Sequence, residues 1–226
     1  RCTEGGEGVK EVQQIALRAA GVLALFAFLG TALVAITYEG TKEQIAENKR
    51  LSLLKSLGQL VPDTQYENDL LEERRTLPAA PLLGTSKPSF AYLAKQHGAV
   101  HTVLLTPTTE AGYSGTINLL VAIRADGSLV GTRVLNHTET PGLGDLIDIK
   151  KSDWIRSFDN RSLENLTQQQ WKVKKDGGIF DQFTGATITP RAVVGAVHNS
   201  LLYFKQHREQ LLQSHAEAEK NKEERP

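Results

Sequence analysis

The longest apolar stretch of the chain covers residues 19–38, carries no charge and is rich in Ala, Leu, Val and Phe. An α-helix rises about 1.5 Å per residue, so such a stretch matches a hydrocarbon core of roughly 30 Å. Arg18 and Glu39 bracket it, and Tyr38 stands where an interfacial aromatic belongs. The pattern predicts one transmembrane helix acting as a signal anchor. A cleaved signal peptide has a shorter apolar core and a small-residue cleavage site, whereas Glu39-Gly40-Thr41-Lys42 follows here. A buried core helix is the other rival, and the length argues against it. Beyond the span, Ile45, Leu51, Leu54, Leu57 and Leu60 recur at helical spacing with charges between them. That predicts a stalk helix continuing from the membrane, ended by Val61-Pro62-Asp63.

The pattern then changes. Residues 63–88 are mixed, with Pro78, Pro81 and Pro88, and read as connections around a short helix. Residues 99–106 read as a strand. Ile117, Leu119, Val121 and Ile123 alternate with other residues, and Asp126-Gly127 is a hairpin turn signal, with a return strand over 129–135. This hairpin delivers the chain to a loop at 137–144. A short helix is expected over 154–158, where Trp154 and Phe158 share one face and read as core. A strand is expected over 171–173, closed by Lys174-Lys175-Asp176-Gly177-Gly178. Ala192, Val193, Ala196, Val197, Leu201 and Phe204 predict a final helix from Pro190 past Leu212. The rest is nearly all polar and reads as a solvated tail. The expected organisation is an N-terminal segment (1–18), a membrane helix (19–38), a stalk and connections (39–90), a globular domain (91–212) and a tail (213–226). Strands in the middle with helices before and after predict an α+β fold with an antiparallel sheet and flanking helices.

Composition narrows the function. The 226 residues hold 26 basic and 26 acidic side chains, so the electrostatic footprint of a nucleic-acid binder is absent. The one cysteine, Cys2, excludes an internal disulfide and any thiolate-built zinc or iron–sulfur centre. A redox cofactor would have to be organic or held by other ligands. No metal site and no catalytic residues are expected. With no methionine in the chain, Arg1 is not expected to be the start of translation.

The segment Asp181-Gln182-Phe183-Thr184-Gly185-Ala186-Thr187-Ile188-Thr189-Pro190 reads as a polar turn feeding a helix. Thr189 is placed as an N-cap and Pro190 as the first helical residue. A helix N-terminus offers free N–H groups and the positive end of the macrodipole to an anion. Thr187 lies two residues ahead of that cap, beside the small Gly185 and Ala186. The second segment, His137-Thr138-Glu139-Thr140-Pro141-Gly142-Leu143-Gly144, is a loop whose glycines are free to take positive φ and let backbone approach a flat ring. On their own, Glu139 reads as a surface carboxylate and His137 as a strand-end histidine.

Together the two segments resemble a known family. Asp-x-x-Thr-Gly-Ala-Thr is similar to the flavinylation motif of membrane-bound covalent flavoproteins, and Glu-Thr-Pro-Gly-Leu-Gly to a segment of the same proteins. They are the G subunit of the Rnf (Rsx) electron-transport complex and the C subunit of sodium-translocating NADH:quinone oxidoreductase. The short chain favours the former. The resemblance implies FMN joined to Thr187 through a phosphoester, made by a separate flavin transferase. Thr184 and Thr189 would donate to phosphate oxygens, with Gly185 and Ala186 beside them. Glu139, Thr140, Gly142, Leu143 and Gly144 would serve the ring. Asp181 would be recognised by the transferase or organise the turn.

The resemblance further implies an electron relay within an ion-translocating (sodium or proton) ferredoxin/NAD oxidoreductase complex, among other subunits of that complex. Lysines and arginines flank the span almost evenly. The family instead implies a bacterial inner-membrane protein with residues 1–18 in the cytoplasm and the main domain on the periplasmic or outer face. The rival readings are a flavin-binding membrane-anchored regulator or sensor, an anchored hydrolase and an assembly subunit without cofactor. For the hydrolase, no spacing ties His137 or Asp181 to Thr187 as base and orienting acid.

Overall fold

The computed structural model describes residues 5–213, with side chains from residue 13. The polar tail, Cys2 and part of the segment 1–18 lie outside the described residues. Two compact units divide between Leu51 and Ser52.

Helix α1 (Gly5–Leu60) contains the apolar stretch and ends where Val61-Pro62 was expected to end it. Its apolar side chains from Ile15 to Ile36 point outward all round, the arrangement of a helix solvated by lipid rather than by a protein core. The polar atoms within it are satisfied internally. Thr31 and Thr37 hydroxyls donate to the carbonyls of Ala27 and Leu33, at 2.7 and 2.8 Å. In hydrocarbon an unsatisfied hydroxyl costs several kcal/mol, so this back-bonding fits a membrane span. Among the described residues, α1 is the one helix long and apolar enough to cross a bilayer.

The second unit is α+β and built on a six-stranded antiparallel sheet. Its strands are β1 (Arg75–Leu77), β2 (Ser89–Gln96), β3 (Ala99–Leu105), β4 (Thr108–Thr109), β5 (Ile117–Arg124) and β6 (Leu129–Asn136). The order is β1-β2-β3-β5, with β6 on the far edge of β5 and β4 prolonging the β3 edge. Strands β3, β5 and β6 and the Asp126-Gly127 turn lie where the hydrophobic pattern put them. Gly127 takes φ +95°, which a side chain would oppose.

Both faces of the sheet are covered. Ala91, Leu93, Val103, Leu105, Leu119, Val121 and Ile123 face helix α2 (Ile188–Leu212), which contributes Val193, Val197, Leu201 and Phe204. Phe158, Trp171 and Phe180 complete this core, with the Phe158 and Phe180 rings stacked at 4.7 Å. Tyr92, Ala94, Leu104, Leu120 and Ala122 face the other way, against Leu57, Leu60, Val61 and Leu70. The end of α1 is thus part of the domain's own core.

Four segments depart from the sequence reading. Strands β1, β2 and β4 occur where no strand was expected. The segment expected as a strand at 171–173 is a bend, with a single parallel bridge between Val173 and Phe180. From residue 137 to α2 the chain makes loops and short 3-10 turns, one of which, Asp153–Phe158, is the expected short helix.

Candidate functional site

The 137–144 loop follows β6 directly and is tied down by its own side chains. Gly142 takes φ +77° in open space, so here glycine is required by the backbone. Its N–H donates to Asp145 Oδ1 at 2.7 Å, and Leu143 N–H to the Thr140 carbonyl at 3.1 Å. Gly144 has ordinary φ and is required by space. A Cβ there would meet Glu139 Oε2 at 2.7 Å and Thr189 Oγ1 at 2.8 Å.

Glu139 is not a surface carboxylate: it is 4% exposed. Oε1 accepts from the Ser114 N–H at 3.0 Å, and Oε2 accepts from the Thr189 hydroxyl. Burying a carboxylate is costly unless its oxygens are hydrogen-bonded, and here both are. His137 lies outside the cleft, and its Nδ1 accepts from the Glu139 N–H at 3.1 Å.

The turn before α2 is closed by the Ala186 N–H on the Phe183 carbonyl at 3.1 Å, with Gly185 at φ +82°. Trp154 holds it from below. Its indole N–H donates to the Asp181 carbonyl at 2.8 Å, and its ring meets Phe183 edge-on at 5.2 Å. Phe158 is fully buried, so both aromatics serve the core and the turn.

The cap assignment is corrected. Helix α2 begins at Ile188, so Thr187 occupies the N-cap position and Pro190 is the third helical residue. Thr189 is fully buried and its hydroxyl goes to Glu139. A tertiary partner has taken the side chain that local capping rules assign to the helix end, so Thr189 does not offer its hydroxyl to a phosphate. Thr187, at the cap position, makes no side-chain cap hydrogen bond. Pro190 has no N–H to satisfy, leaving those of Ile188 and Thr189 free at the helix entrance.

These segments enclose a cleft of about 320 Å³, lined by Tyr113, Glu139, Thr140, Leu143, Gly144, Gly185, Ala186, Thr187, Ile188 and Thr189. That volume lies at the lower end of the range for small-molecule sites. Eight of the sequence-proposed residues meet there, while Thr184 and Gly142 lie off the lining. Tyr113 and Ile188 were missed. Tyr113 comes from the loop before β5, where no motif marks it. Ile188 follows Thr187 directly, but its outward direction depends on where the helix starts. Asp181 is also off the lining, and its exposed carboxylate pairs with Lys174 at 2.5 Å.

Among the described residues of this unit the exposed large hydrophobics are few: Leu54, Tyr113, Leu143 and Ile188. Three of the four line this cleft. Apolar surface left to water at one concave place, beside an unused hydroxyl at a helix entrance, suits a ligand with a flat apolar body and an anionic end.

Comparison with known proteins agrees. Residues 112–202 match the FMN-binding domain family, and residues 11–60 match the RnfG N-terminal region. The chain is 46% identical over 200 residues to the G subunit of the ion-translocating oxidoreductase complex of Shewanella loihica, covering 88% of this chain and 94% of that one. It is 48% identical over 196 residues to the G subunit of the Pseudomonas aeruginosa complex (87% and 92%) and 46% over 190 residues to that of Vibrio cholerae (84% and 90%). With an FMN-binding domain behind one N-terminal apolar helix, the chain belongs to the family of G subunits of the ion-translocating oxidoreductase complex, a membrane redox assembly.

Proposed function

We propose that this chain is a membrane-anchored flavoprotein that relays electrons through FMN esterified to Thr187. The carrying observation is the conjunction at the cleft: three of the four exposed large hydrophobics among the unit's described residues surround a threonine whose hydroxyl makes no cap hydrogen bond. When bound, FMN supplies reversible storage of electrons at a site that needs no substrate pocket.

The chain's residues do the rest. The Thr187 hydroxyl is the attachment atom. The N–H groups of Ile188 and Thr189 and the positive end of α2 face the phosphate. Thr184, exposed on the turn, remains near enough in sequence to donate to it. Tyr113, Leu143 and Ile188 pack against the ring, and Gly185 and Ala186 leave room for it. Thr140 and the 142–144 backbone serve its polar edge. The covalent link keeps the flavin from being lost to the volume around the domain. Thr187 is an acceptor, modified by a flavin transferase, and the chain performs no catalysis alone.

Asp181 is the element the transferase reads: its carboxylate is exposed and off the cleft, while its carbonyl is fixed by Trp154. In this reading residues 19–38 cross the bacterial inner membrane, 1–18 remain in the cytoplasm and the unit that begins at Ser52 carries the flavin on the periplasmic or outer face. Residues 39–51 connect the two. Partners are membrane lipid and the other redox subunits, and movement of sodium or protons belongs to the complex as a whole.

Denaturing gel electrophoresis tests the attachment. Protein from cells with an active transferase gives an ultraviolet-fluorescent band that disappears in Thr187→Ala. A dark wild-type band, or fluorescence surviving in Thr187→Ala, overturns the proposal.

A further inference from the structure

We propose that Glu139 is a positioning residue, which assembles the cleft around its buried carboxylate and sets the charge of the cleft wall without itself carrying the ring. The inference rests on the flavin reading above for the ligand, and on geometry alone for the assembly.

Three segments distant in sequence meet at this side chain. Ser114, 25 residues before it, gives its N–H to Oε1, and Thr189, 50 residues after it, gives its hydroxyl to Oε2. The neighbouring Thr138 hydroxyl donates to the Ser114 carbonyl at 2.8 Å, so the 112–115 loop is held by two adjacent residues. The space is cut to fit. A Cβ at Gly112 would come within 2.7 Å of Oε1, and one at Gly144 within 2.7 Å of Oε2. The segments tied in this way carry Tyr113, Leu143, Thr187 and Ile188, the lining groups assigned to ring and phosphate.

The charge matters as well. Among the described residues, no Lys, Arg or His forms an ion pair with Glu139. Its compensation is the Ser114 N–H, the Thr189 hydroxyl and the positive end of α2. A carboxylate in the wall of a small cleft repels electron density added to a ligand there, because little water screens it. The residue therefore lowers the midpoint potential of a flavin in the cleft.

The full chain, purified from cells with an active transferase, tests both parts. Glu139→Gln keeps the size and removes the charge; it is expected to retain flavin with its midpoint potential shifted upward. Glu139→Ala removes the tie; the Ser114 amide is expected to exchange about tenfold faster, as loss of one buried hydrogen bond implies, with a reduced flavin yield. An unshifted potential in Glu139→Gln overturns the proposal, and so does unchanged Ser114 exchange in Glu139→Ala. Should either variant fail to fold, Thr189→Val deletes only the donor to Oε2 and leaves a buried carboxylate oxygen unpaired, and a melting temperature equal to wild type there overturns the proposal equally. Wild-type protein without flavin would refute the flavin reading alone, because the exchange comparison needs no flavin and still decides the assembly.

Discussion

Replacing Gly144 by alanine inserts a single methyl group where the cleft is tightest. That carbon would lie 2.7 Å from Glu139 Oε2, 2.8 Å from Thr189 Oγ1 and 2.9 Å from Glu139 Cβ. Non-bonded contacts at these distances are repulsive, so Glu139 or the start of α2 must move by several tenths of an ångström. Overpacking of this kind costs about 1–3 kcal/mol. If the movement also breaks the Thr189–Glu139 hydrogen bond, a buried carboxylate oxygen is left unpaired, at roughly 1–3 kcal/mol more. The sum is on the order of 2–6 kcal/mol, which for a domain of this size, at roughly 2–4 °C per kcal/mol, lowers the melting temperature by about 4–24 °C. Gly142→Ala is the control. It meets open space, and its penalty of about 1–2 kcal/mol comes only from φ +77°. Thermal melts followed by circular dichroism, with flavin yield measured in parallel, compare the two. A Gly144→Ala protein melting within a degree of wild type, or no lower than Gly142→Ala, would refute the packing derived for Glu139.

Three further outcomes are expected. Leu57, fully buried against the sheet face that holds Leu104 and Leu120, should cost about 2–5 kcal/mol as Leu57→Ala; a melt unchanged from wild type would mean that the end of α1 is not part of the domain core. Burial holds the His198 imidazole, which stacks on Trp171 at 5.5 Å, below the ordinary histidine value of about 6.5. The unfolded chain therefore binds more protons in that window. Stability should be fully present above the ordinary value and fall as the pH drops through the folded one, and pH-dependent melts of His198→Phe should lose that slope. Trp154→Phe keeps the ring but deletes the donor to the Asp181 carbonyl; about 1 kcal/mol of stability should be lost, along with part of the flavin yield at limiting transferase, and full loading at the wild-type rate would count against the turn's role.

What the sequence disclosed follows from how local each determinant is. Strands β5 and β6 were legible because a one-residue alternation and an Asp-Gly turn are local signals. Strand β2 was not, because it is buried on both faces: Ala91 and Leu93 go to one core, Tyr92 and Ala94 to the other. That removes the alternation, and the preceding prolines suggested connections. Strands β1 and β4, of three and two residues, are too short to show a period. Thr187 was found from its motif, but the helix start was misplaced, because Thr189 answers to Glu139 rather than to the helix end. Glu139 itself looked like a surface carboxylate because the two glycines that make room for it, Gly112 and Gly144, act through space. Tyr113 reaches the cleft by the same kind of long-range placement.

The peptide containing residues 184–191, isolated from the protein made in cells with an active flavin transferase, bears most directly on the central claim. Its mass should exceed that of the unmodified peptide by FMN less one water, with fragmentation placing the addition on Thr187. An unmodified mass, or an addition on any other residue, would contradict the account.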